Sequence, residues 1–161
     1  MRKLQLFVVL IVALVLTGCS APSIPGLVPA EGIVLLDGQP VEGVSIVFTP
    51  SVGSEGDRHA TAISQNDGRF VLHTVDYRGA LPGRYNVVLS KTTSVTTVSD
   101  EEAERLSAAG RVVPSDITYH IPWKYGDVRL SGIVIEVDAS GNREIRIELQ
   151  SDDTPPPRSL I

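Results

Sequence analysis

The chain has 161 residues, of which 42% are hydrophobic, 20% charged and 5% aromatic, enough for one globular domain and too few for a second core. Its formal charge is −5, and without Arg2 and Lys3, which belong to a segment read below as cleaved, 12 basic residues face 19 acidic ones, or −7. A surface of that sign with no run of Lys or Arg disfavours nucleic acid, and Cys19, the only cysteine, leaves no internal disulfide, thiolate metal cluster or deeper cysteine nucleophile.

The first element is Met1-Arg2-Lys3, then an apolar run from Leu6 to Leu16, then Thr17-Gly18-Cys19. A positive start, an apolar middle and small residues at the cut have the layout of a secretory signal over residues 1–18. Eleven apolar residues fall short of the roughly 20 that a helix needs to cross a bilayer, so a permanent transmembrane helix is the weaker alternative. Leu16-Thr17-Gly18-Cys19 resembles the lipobox of bacterial lipoproteins. The resemblance implies a diacylglyceryl group on the Cys19 sulfur, cleavage before it and acylation of the new amino terminus, such as by palmitate. Two or three acyl chains hold stably where one binds marginally. The expected localisation is therefore a cell membrane, and Ser20 in place of an aspartate favours the outer one in a host with two. Residues 19–31 carry Pro22, Pro25, Pro29 and Gly26 without periodicity, which reads as an extended tether.

From Gly32 onward short alternating runs are separated by turn residues, the signature of an all-β sandwich or barrel over residues 32–149. Strands are expected at 33–36, 44–49, 59–64, 69–74, 84–91, 132–137 and 144–149, seven in all. Asp37-Gly38 supplies the positive φ angles of a tight turn, and Gln65-Asn66-Asp67-Gly68 gives a hairpin signal between the third and fourth strands. Val44, Ile46 and Phe48, Phe70 and Leu72, Tyr85, Val87 and Leu89, Ile133, Ile135 and Val137, and Ile145, Ile147 and Leu149 each fall on one face of their strand. Between Thr92 and Pro122 the alternation breaks. There Ser99, with Glu102 three residues on, forms a capping box for a short helix over 99–106 that Gly110 ends and Pro114 keeps from restarting. Residues 150–161, with three successive prolines, have no face to bury and read as a disordered tail.

The stretch from Glu31 to Val44, with Pro40, Gly43 and Val44 leading into the second strand, resembles the opening of carboxypeptidase-regulatory-like domains. Asp67-Gly68-Arg69-Phe70 and Pro82-Gly83-Arg84-Tyr85 are similar to the later turns of those domains. Ile121-Pro122-Trp123-Lys124-Tyr125 resembles a segment of small bacterial lipoproteins that carry them. The resemblance implies a transthyretin-like (prealbumin-like) Greek-key sandwich of seven strands with one short inserted helix.

No catalytic constellation stands out. Tyr77-Arg78-Gly79 is similar to the carboxyl end of hydroxyisourate hydrolases, but here Ala80 follows, the position is mid-chain and that family's paired histidines lack a match. His59, His73 and His120 have neither helical spacing nor a ligand pattern, and solvent-facing histidines explain them. Ser45, Ser64 and Ser90 lie outside any nucleophile elbow. Asn66, Asp67 and Asp76 fall short of the six to eight oxygens of a calcium site, and a turn accounts for them. Trp123 and Tyr125 share one side if their segment is extended, an aromatic platform for ligand contact; the structural reading is that they cap the sandwich end together with Tyr119. The expectation is a non-catalytic binding or structural module, anchored to membrane lipid through Cys19 and facing an envelope protein or polysaccharide, with no cofactor and no metal. The alternatives are an accessory carbohydrate-binding module and a hydrolase on the same fold.

Overall fold

The computed structural model describes residues 24–52 and 58–151. Cys19, the signal segment, the start of the tether and residues 152–161 lie outside the described residues.

The chain is mostly strand, in order β1 (Ala30–Leu36), β2 (Gln39–Pro40), β3 (Ser45–Pro50), β4 (Ala60–Ile63), β5 (Arg69–Val71), β6 (His73–Thr74), β7 (Tyr77–Arg78), β8 (Gly83–Ser90) and β9 (Thr92–Thr96). A helix, α1 (Asp100–Ala108), then precedes β10 (Ser115–Tyr119), a 3-10 turn (Trp123–Gly126), β11 (Ile133–Val137) and β12 (Asn142–Leu149). One sheet is built on β1, which pairs with β12 in parallel on one side and with β5 and β2 antiparallel on the other. The second sheet is antiparallel in the order β11-β8-β3-β4-β6-β7. β9 and β10 form a separate two-stranded ribbon.

The two main sheets face one another because each strand alternates. Val34, Phe70, Ile145, Ile147 and Leu149 come from the first sheet and Ile46, Phe48, Tyr85, Val87, Leu89 and Val137 from the second, all buried in one cluster. Phe48 meets Phe70 across the gap at a centroid distance of 6.5 Å and Tyr85 within its own sheet at 5.7 Å. Each such side chain contributes roughly 1.5–3 kcal/mol by leaving water, and tilted rings at these distances add a specific preference. Tyr85 keeps its hydroxyl satisfied by donating to Leu81 O at 2.8 Å.

Three local findings differ from the sequence reading. The expected strand at 69–74 is two strands in different sheets: the Gln65–Gly68 turn forms, with Gln65 N–H donating to Arg69 O at 2.7 Å, but β5 then pairs with β1 while only β6 returns to β4, through Thr61 and His73. Phe70 in β5 and Leu72 at the crossing itself are both buried, so their alternation reports the core and not the partner strand. The tether expected through residue 31 ends sooner, because Val28 already bridges Ala80 and Asn142 N–H donates to Pro29 O at 2.8 Å. The described residues form twelve strands in place of seven, because 69–74 divides and β2, β7, β9 and β10 are additional.

The turn at Asp37-Gly38 forms with φ values of 50° and 80°, the mirror-image geometry a tight hairpin requires. Helix α1 begins as its sequence asks: Ser99 Oγ accepts from Glu102 N–H at 3.4 Å, three acidic residues occupy the first turn, and Gly110 follows at φ 65°.

Candidate functional site

Parallel pairing of the first long strand with the last gives the sandwich two distinct ends. Chain entry at Ala30 lies beside Asn142, whereas Leu36 lies beside Leu149, where the chain leaves. At the entry end Val28 and Ala80 exchange backbone hydrogen bonds of 2.9 and 3.1 Å. Gly79 passes so close that a Cβ would stand 2.5 Å from Val28 O, and its φ of 116° suits glycine alone. Thr74, fully buried, donates its hydroxyl to Gly79 O at 2.9 Å. Tyr77-Arg78-Gly79 is therefore part of the clasp on the entering chain.

Glu31, on β1, joins Arg78 of β7 at 3.0 Å and Arg143 of β12 at 3.4 Å. A half-open depression of about 360 Å³ lies beside this pairing, lined by Leu27, Val28 and Pro29 as well as the two arginines. An adjoining one of about 420 Å³ runs over Ile33 between Arg69, Arg143 and Arg146. These arginines are largely exposed and paired with carboxylates, Arg69 with Asp67 and Arg146 with Glu148. Surface pairs of this kind contribute little to stability. They form a polar face suited to contact, without a nucleophile or a converging acid and base.

The opposite end is more elaborate. Ile121 and Tyr125 are buried, and the 3-10 turn Trp123–Gly126 lies under the end of β8, with Gly126 close to Leu89 O. The Tyr125 hydroxyl accepts from Gln150 N–H at 3.0 Å, fixing the chain where it leaves β12. Asp37 fixes it again by accepting from the Ser151 amide at 3.0 Å and from the Ser151 hydroxyl. These two bonds hold the Asp37 carboxyl below its ordinary 3.8. The segment is thus a tight turn and not extended. Trp123 is half-buried, Tyr125 is a core piece with Lys124 Nζ 5.2 Å from its ring centroid, and the pair offers no shared platform. Tyr119, expected beside them, belongs to the ribbon and is 42% exposed.

From the same end rises the ribbon of β9 and β10 with α1 at its tip. It starts where Ser90, the last residue of β8, pairs with Ser45. Every residue of both strands is exposed, and no residue of α1 is buried. At its base His120 N–H donates to Lys91 O at 2.9 Å, and the His120 ring meets Thr93 Oγ1 at 2.7 Å. Across the ladder, Val95 opposes Asp116 and Ser94 opposes Ile117.

The remaining polar candidates have structural partners. Ser64 is buried, accepts from Val44 N–H at 2.9 Å and donates to Val41 O at 2.7 Å, while Ser45 and Ser90 are exposed and face each other across the ladder. His73 bonds Val71 O at 3.1 Å, and His59 is exposed. Asp67 receives Arg69 N–H at 3.0 Å within its turn. Asp127 does the same for Arg129 at 2.8 Å, and the Arg129 guanidinium and amide hold its carboxyl low. Among the described residues no three His, Cys, Asp or Glu side chains gather as metal ligands, and no helix is long and apolar enough to cross a membrane.

No family model matches the chain, nor does any curated protein. Among solved structures it is similar to a 9R-lipoxygenase from Cyanothece PCC8801, at 10% identity and a TM-score of 0.31, over 83% of this chain and 18% of that one.

Proposed function

We propose that this chain is a cell-envelope lipoprotein, held in a membrane by lipid on Cys19, whose transthyretin-like, carboxypeptidase-regulatory-like sandwich is a non-catalytic binding or structural module. The carrying observation is the polarity of the domain. Val28, where the chain is first clasped, follows Cys19 by nine residues, a reach of roughly 30 Å when extended. The ribbon and the 3-10 turn are rooted at the other end of β1, whose seven residues run about 20 Å. An anchor at Cys19 thus holds the entry end near the bilayer and displays the ribbon, Trp123 and the exit of β12 toward the envelope. Ribbon and loops suit contact with another macromolecule. Burial of Tyr125 weighs against the sugar-platform alternative.

The test is fractionation of bacteria that process lipoproteins, expressing the wild type or Cys19→Ser. The wild type is expected in the membrane pellet after a high-salt wash, with the variant released to the soluble fraction. A soluble wild type overturns the reading.

A further inference from the structure

The ribbon has two outer edges, and one of them is open to pairing. His120 N–H donates to Lys91 O and Thr97 N–H to Pro114 O. In an antiparallel ladder residues alternate between bonding the partner strand and facing away. Lys91, Thr93, Val95 and Thr97 therefore turn their peptide groups to β10, and Thr92, Ser94 and Thr96 turn theirs outward. Among the described residues no strand pairs with that outer edge.

Exposed edges are normally guarded by a charge, a proline or a bulge. The other edge strands here obey that rule: β2 has Pro40, β5 Arg69, β7 Arg78, β10 Asp116, β11 Glu136 and β12 Arg146. β9 is Thr-Thr-Ser-Val-Thr, with an unbroken register and no guard. These residue types favour strands, yet a two-stranded ribbon alone is only marginally stable.

We propose that β9 pairs antiparallel with β9 of a second copy of this chain, about a two-fold axis through Ser94, giving a four-stranded sheet in the order β10-β9-β9-β10. Thr92 then bonds Thr96 of the second copy, Ser94 bonds its equivalent and Thr96 bonds Thr92, each pair using peptide groups that point outward. Thr93 faces Val95 between them. The same register sets Lys91 opposite Thr97 of the second copy, three residues before Asp100 and four before Glu101 at the start of its acidic helix. The opposite charges at base and tip select a second copy in this direction over a parallel alignment. Isologous pairing about a two-fold is also the commonest closed form of self-association. In the paired form two copies anchored in one bilayer tilt from that envelope-facing pose until their ribbons lie along its surface, which the nine residues from Cys19 to Val28, roughly 30 Å when extended, allow. The pairing itself does not depend on the anchor.

The test uses the purified full chain carrying Cys19→Ser, so that an introduced thiol is the sole one and the anchor is not in question. Ser94→Cys should form a disulfide-linked dimer under mild oxidation, and Thr93→Cys, offset by two residues from its equivalent, should not. Ser94→Pro removes an amide that points away from β10, so the ribbon survives in the monomer. That change should weaken the dimer seen by light scattering roughly tenfold or more. Absence of a Ser94→Cys dimer overturns the proposal, as does a dimer that persists unchanged in folded Ser94→Pro.

Discussion

Ser64, which the sequence places outside any nucleophile elbow, acts as a brace in the fold. Its hydroxyl serves Val44 N–H and Val41 O where the chain crosses from the first sheet to the second. Alanine there orphans a buried donor and an acceptor, so Ser64→Ala should cost about 2 kcal/mol or more, roughly a 10 °C fall in Tm by calorimetry. Asp37 makes a second, titratable brace. Because its carboxyl is depressed in the fold, the bonds to Ser151 stabilise at pH above its ordinary 3.8 and are lost as pH falls below that value toward the folded one. Exchange protection of the Ser151 amide should drop over that acidic range, and Asp37→Asn should flatten the dependence. The bonds around Glu31 could not be read from the chain, since Arg78 and Arg143 stand 47 and 112 residues away from it. No local spacing carries that information.

At the scale of elements, legibility followed burial. β3, β8 and β12 sit with one face on the core and one in water, so their alternation stands in the sequence. The sheet that each strand joins does not, and the crossing between β5 and β6 was hidden for that reason. β9 and β10 are exposed on both faces, so their residues show no apolar alternation at all. Trp123 and Tyr125 share one side only if their segment is extended, and with Ile121 and Tyr125 buried it is a 3-10 turn instead. The ribbon and helix bury nothing in the core, so residues 92–119 should be dispensable to it. Lys91 and His120 are already joined at the base, and an Asn-Gly pair between them supplies a two-residue hairpin turn. That deletion should leave a cooperative sandwich with a Tm within about 5 °C of wild type. A collapse of the melt would make the ribbon part of the fold and not an appendage.

The whole molecule has two chemically different ends, set by a parallel pairing that places the first strand beside the last. The Val28 clasp and the close approach of Gly79 join the entry end to the chain that leads into it. The far end carries the elements free to meet something else. This division suits a module tethered through lipid on Cys19, as proposed above. The most direct measurement is the intact mass of the chain recovered from bacteria that process lipoproteins. The expected mass begins at Cys19 with a diacylglyceryl group and a further acyl chain attached, and a Cys19→Ser variant carries neither. A mass beginning at Met1, or at any residue with no lipid added, would contradict it.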